Sequence, residues 1–186
     1  LEFDGDSWSR RDPPVDCPEA YVVALWADAP SLFAVGTTGL AYRLEGPEWI
    51  EIDTGTFSPL QSVWGFTGTD VWIGAGDGKL IHYDGTGSEE VEWPRPAGDA
   101  AVRDMWGKDG VLFIITAQRL VEWDGSGFSV LLDTDAGDGL EGIQISAIWG
   151  NSPGEVFLAV VDEDHVREGC GVQYLLWWDG SEFHWF

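Results

Sequence analysis

The sequence predicts an all-β fold built from repeated four-stranded antiparallel units, and three observations carry that expectation. The 186 residues include 12 Trp and 25 Gly but 1 Met, a balance that disfavours long helices, which prefer Ala, Leu, Lys and Met. Trp26, Trp64, Trp106 and Trp149 recur at intervals of 38, 42 and 43 residues. An acid-Gly pair follows each of them, at Glu45-Gly46, Asp84-Gly85, Asp124-Gly125 and Asp179-Gly180, with a fifth at Asp4-Gly5. Such pairs between extended runs mark hairpin turns, and a two-residue type I′ turn needs φ > 0 at both central residues.

Each unit divides into four short strands. In the second unit they fall at 60–66, 70–75, 79–83 and 89–93. Seven or eight residues after each repeated Trp comes an aromatic preceded by an aliphatic: Leu32-Phe33, Val71-Trp72, Leu112-Phe113 and Val156-Phe157. Three of the four Trp precede Gly (Gly65, Gly107, Gly150), and the first precedes Ala27. Four-stranded units of ~40–45 residues indicate a β-propeller, because one such sheet cannot bury both faces and must stack on its neighbours. The repeated Trp then fill the space between adjacent blades and are expected at equivalent buried positions. The units fall at 20–57, 58–98, 99–134 and 141–186. Residues 1–12 read as the outer half of a further blade. The expected architecture is one propeller domain or propeller fragment, with four full blades plus an N-terminal half blade. Exposed end blades would invite self-association, or the remaining blades of a longer chain.

The pattern W-G-x(4)-D-V-W-x-x-G…H-Y-D-G, clearest across 63–85, resembles bacterial secreted β-propeller repeat proteins. It is similar, more loosely, to tectonin and tachylectin-type lectin propellers. The resemblance implies the propeller fold and a place outside the cytoplasm: extracellular, periplasmic or on the cell surface. Its motifs are turn and packing residues and identify no ligand. The Asp-Gly pairs do not match the D-x-G-x-x-W box of sialidases, because in Asp4-Gly5-Asp6-Ser7-Trp8 the Gly stands one position early.

Charge narrows the partners. Nine Lys+Arg against 33 Asp+Glu give a formal net charge of −24, which argues against nucleic acid and anionic membrane surfaces. No apolar run reaches the roughly 18 residues of a membrane span. No basic segment followed by an apolar one opens the chain, so a signal peptide would lie upstream or have been removed.

Departures from the repeat locate candidate sites. From the aromatic of the second strand to the hairpin Gly the spacing is 13, 13 and 12 residues in the first three units and 23 in the fourth. The ten-residue insertion, 162–171, is expected as a loop, with Asp162, Asp164, His165 and Arg167 as candidate ligand contacts. In a meander of strands a–d, the b–c loops and the d–a connections share one face. Cys170 in the insertion and Cys17 before the first blade are therefore expected there, and a Cys17–Cys170 disulfide would hold the insertion over the closure point. Trp177 and Trp178 exceed what the repeat needs and could stack on a ligand. Asp133, Asp135 and Asp138 approximate a D-x-D-x-D-G calcium loop with one extra residue. No other cofactor is implied.

Enzyme motifs such as H-E-x-x-H, G-x-S-x-G and the P-loop do not occur. His82 belongs to the repeat's own H-Y-D-G. The resulting expectation is a non-catalytic binding or scaffold module outside the cytoplasm, recognising protein or carbohydrate. The alternative is a glycoside hydrolase or sialidase-like enzyme with its site over the central channel.

Overall fold

The computed structural model describes residues 2–3, 5–9, 20–97, 100–136, 140, 142–167 and 170–186, with the side chains of 2, 3, 163–167 and 170–172 outside the description. A two-stranded hairpin, β1 (Glu2–Phe3) with β2 (Trp8–Ser9), precedes four antiparallel sheets. Blade 1 comprises β3 (Val22–Asp28), β4 (Ser31–Gly36), β5 (Ala41–Glu45) and β6 (Glu48–Glu51). Blade 2 comprises β7 (Leu60–Thr67), β8 (Asp70–Ala75), β9 (Leu80–Tyr83) and β10 (Ser88–Val91). Blade 3 comprises β11 (Asp104–Lys108), β12 (Val111–Ile115), β13 (Arg119–Trp123) and β14 (Phe128–Asp133). Blade 4 comprises β15 (Ile143–Ser152), β16 (Glu155–Arg167), β17 (Cys170–Trp178) and β18 (Phe183–Trp185). Every blade is a meander in chain order. The one helical element among the described residues is a single 3₁₀ turn, Thr37–Gly39.

Both faces of an inner blade are buried, which explains the near-continuous apolar runs Val71-Trp72-Ile73 and Leu112-Phe113-Ile114-Ile115. Alternate residues of a strand point to opposite faces, and each face joins a different core. Val71, Ile73, Ile81 and Tyr83 meet Phe33, Val35 and Ile52 between blades 1 and 2. Trp72 and Leu80 meet Met105, Leu112 and Ile114 between blades 2 and 3. Trp106, Phe113 and Ile115 meet Ile145, Ile148, Val156 and Leu158 between blades 3 and 4. Inner strands pack in the order β3, β7, β11, β15.

The b–c turns and d–a connections share a face, as their backbone bonds record: Thr37 N–H donates to Tyr21 C=O, Gly76 to Pro59, Val102 to Ala75 and Ile145 to Ala117.

Hairpin chemistry differs from the expected type I′ turn at the c–d Asp-Gly pairs. Gly85, Gly125 and Gly180 have positive φ, but the Asp before each does not. These are four-residue loops in which the Asp carboxylate replaces a backbone acceptor. Asp84 Oδ1 accepts from the Thr86 and Gly87 amides and the Thr86 hydroxyl. Asp124 does the same with Ser126 and Gly127, and Asp179 with Ser181 and Glu182. The gain is three donors satisfied by one side chain. Among the described Asp-Gly pairs, positive φ at both residues occurs at Asp109-Gly110, which joins β11 to β12.

Candidate functional site

Interblade packing follows one rule. The Trp of each blade lies over the glycine of the next: Trp26 over Gly65, Trp64 over Gly107 and Trp106 over Gly150. A Cβ on Gly65 would stand 2.5 Å from the Trp26 ring, on Gly107 2.9 Å from Trp64, and on Gly150 2.8 Å from Trp106. The backbone is therefore bare where the indole lands. Trp64 Nε1 has no hydrogen-bond partner, so this seat acts through contact area rather than through a polar bond.

Trp149 occupies the same register in blade 4 yet is 58% exposed, whereas Trp106 is 6% exposed. The expectation that all four Trp are equally buried fails: Trp26 and Trp64 are half-buried, Trp106 is buried, and Trp149 is exposed, with no blade among the described residues stacked on the far side of blade 4. Around Trp149 an aromatic row runs across the sheet. Trp149 pairs with Phe157, Phe157 with Trp177 and Trp177 with His184. Val156, Leu158 and Leu176 fill the core against blade 3, so the alternate residues of the row face the other way. Ring centroids lie 6.4 Å apart for Trp149–Phe157, 6.4 Å for Phe157–Trp177 and 5.0 Å for Trp177–His184. Phe186 joins the row, 6.3 Å from Phe157 and 6.1 Å from Trp177, and is itself 71% exposed. Leu175 lies beside it, also exposed. His184 Nε2 is 2.8 Å from Asp179 Oδ2. That bond, then the Glu182 and Ser181 contacts, hold the Asp179 carboxyl well below the usual carboxylate range. The turn carboxylate thus fixes both the loop and the last ring of the row.

The other sequence-predicted residues divide. Trp177 belongs to the open row. Trp178 faces the opposite way, packing on the core between blades 3 and 4 with its ring 4.8 Å from Phe183, so it does not share a surface with Trp177. The insertion is not a loop but a lengthening of the β16–β17 hairpin: the strands run to Arg167 and resume at Cys170, with Arg167 opposite Cys170. Val160, Val161 and Val172 flank the insertion and favour extended backbone. Pairing with β15 ends at Asp162, so the hairpin beyond it extends past its neighbours. Asp162 is half-buried at that point. The side chains of Asp164, His165, Arg167 and Cys170, and the whole of Cys17, lie outside the described residues, as does Asp138. Asp133 Oδ2 is taken by Arg119, 2.8 Å from both Nε and an Nη, and Asp133 Oδ1 accepts from the Asp135 amide. A guanidinium therefore already balances the carboxylate offered for calcium, and no cluster of three or more ligating side chains occurs among the described residues. His82 contacts Asp70 at 2.8 Å and lies 4.5 Å from the Trp72 ring.

A cleft of about 240 Å³ runs along the four inner strands, lined by Trp26, Gln61, Trp64, Asp104, Trp106 and Trp149 among others. Asp104 is the one ionisable side chain among the described lining residues. It accepts from the Met105 amide at 2.9 Å and the Ile148 amide at 3.4 Å. Burial pushes its carboxyl above the ordinary range despite those two bonds.

Phe157 and Phe186 were not apparent as surface residues from sequence. The signal that bears on them is the Trp-Gly pairing, which indicates the side on which each blade receives its neighbour.

No protein-family model matches the chain, and no curated protein matches it. Among solved structures it is similar to the computationally designed Ika8 protein, at 16% identity and a TM-score of 0.61 over 91% of this chain and 50% of that one. It is similar to the WD40 β-propeller domain of Doa1, at 12% identity and 0.61 over 89% and 53%. It is also similar to YCF48 bound to D1 peptide, at 14% identity and 0.52 over 90% and 68%. The chain spans about half the length of the first two. At these identities the likeness speaks to the fold, and together with the four stacked meanders it gives the conclusion that residues 20–186 have the β-propeller fold.

Proposed function

We propose that this chain is a non-catalytic docking module, acting outside the cytoplasm, that holds a protein partner on the open face of blade 4. The observation that carries the reading is the contiguous aromatic row Trp149, Phe157, Trp177 and Phe186, in which Trp149 and Phe186 are exposed and Phe157 and Trp177 are half-buried. Contiguous exposed apolar patches mark interaction sites, and buried aromatic anchors dominate the energy of interfaces. A propeller of similar fold, YCF48, was solved with the D1 peptide bound, which supports a protein ligand. The central cleft, with Asp104 as its lone ionisable lining residue among those described, lacks the carboxylate pair that glycoside cleavage uses, which favours binding over turnover. The resemblance to secreted repeat proteins favours a place outside the cytoplasm.

The test immobilises the chain and a Trp149→Glu variant on a sensor and passes soluble protein from the source over both. The expected result is retention on the parent that the variant loses, with no signal on a glycan array and no hydrolysis of fluorogenic glycosides. Glycan binding lost in Trp177→Ala would transfer the reading to carbohydrate, and glycoside turnover would transfer it to an enzyme.

A further inference from the structure

We infer that the partner of this face is another propeller blade, one that residues 1–186 do not contain, and that its inner strand carries glycine opposite Trp149. The inference rests on the docking reading above and names the chemistry of the partner.

It starts from the three seats inside the molecule. In each, the receiving residue directly follows the receiving blade's own Trp, and in each it is glycine: Gly65, Gly107 and Gly150. A Cβ at any of them would lie under 3.0 Å from an indole atom that the core holds in place. The residue two positions before each glycine completes the seat, and it is apolar and buried: Val63, Met105 and Ile148. The complement of a blade's Trp face is thus a strand reading apolar-x-Gly.

Trp149 presents the donor half of this interface, 58% exposed, with no blade among the described residues on it. Among the four described blades the remaining receiver is the outward side of β3, where Leu25 stands in register with Val63, Met105 and Ile148 and is 61% exposed. The residue in register with the three glycines, however, is Ala27. Its methyl group occupies the place where the ring of Trp149 would land. Neither closure of blade 4 onto blade 1 nor a second copy stacked head to tail reproduces the seat. A blade with glycine at that point does, by continuing the interface that already joins blades 1 to 2, 2 to 3 and 3 to 4.

Sedimentation velocity of the chain, of Ala27→Gly and of Ala27→Gly/Trp149→Ala tests this. Ala27→Gly converts blade 1 into a receiver for Trp149 of another copy. Relief of one overpacked contact is expected to raise the association constant about tenfold or more. The parent chain is expected to sediment as a monomer over the same concentrations, and the double variant to return to that behaviour. Acrylamide quenching gives a second readout, with the exposed Trp149 becoming protected in Ala27→Gly. The inference is overturned if Ala27→Gly associates no more tightly than the parent, if the double variant still associates, or if the parent already self-associates through Trp149. Loss of the Ala27→Gly effect together with Trp149-dependent retention on the sensor would remove the blade as partner and leave the docking function standing.

Discussion

One substitution made at two positions separates the interblade account from a generic one. Trp106 and Trp149 share register, sheet position and an aromatic neighbour, Phe113 or Phe157, at 5.9 and 6.4 Å. They differ in exposure, 6% against 58%. A Trp offers about 150–250 Å² and each Å² removed from water is worth about 25 cal/mol. Truncation of Trp106 to Ala therefore costs about 4–5 kcal/mol, including a cavity between blades 3 and 4 that cannot collapse fully. The same change at Trp149 removes about two-fifths of that burial, leaves no cavity, and costs about 2 kcal/mol or less. Urea unfolding followed by far-UV circular dichroism measures both. The Trp149→Ala slope should match the parent, whereas Trp106→Ala is expected to shift the midpoint far more and can lower the slope by uncoupling blade 4. Costs equal to within about 0.5 kcal/mol would refute the reasoning, because the stacking neighbour would then contribute nothing.

Three further outcomes follow. Gly65→Ala, which drives a Cβ into the Trp26 ring, is expected to destabilise by about 1–3 kcal/mol, while Ala27→Gly costs less than about 1 kcal/mol; thermal melts rank the two, and the reverse order would contradict the seat. Asp84 is held down at about 2, first by the Gly87 amide and then by the Thr86 amide and hydroxyl, and Asp124 and Asp179 are lowered as well. The loops' contribution is therefore complete above about pH 4 and is lost as pH falls through the folded values; a carboxyl NMR titration placing Asp84 near 4 would count against it. Asp104 has the opposite sign: burial raises its folded value, so its contribution is greatest below about pH 4 and declines as pH rises through that value. Asp104→Asn should remove this part of the pH dependence of the urea midpoint, and an unchanged profile would show that the carboxylate is not desolvated.

The blades were legible because their signals are local and repeated. Strand ends in blade 2 follow from the alternation in 60–66 and 70–75, and the Trp spacing aligns all four sheets. The position of each c–d hairpin was readable, but its type was not: Asp-Gly suits a two-residue turn, yet in Asp84-Gly85-Thr86-Gly87 a side-chain acceptor stabilises four residues instead. The insertion read as a loop because ten extra residues fall between the second and third strands of a repeat fold, although a flanking run of Val lets two strands simply grow longer. At the site, Trp177 stood out as a surplus aromatic. Phe157 did not, since its local pattern is that of buried Phe33 and Phe113. What distinguishes them is whether another sheet lies on top, and no local pattern carries that.

The unequal ends of the stack bear on how such an array grows by duplication. A copied blade added beside Trp149 would find its seat ready, because any of Gly65, Gly107 or Gly150 supplies the bare backbone the indole needs. A copy added on the other side would bring its Trp against Ala27 and would require a second mutation before the pair could close. Growth beside blade 4 therefore needs a single event, whereas growth beside blade 1 needs two.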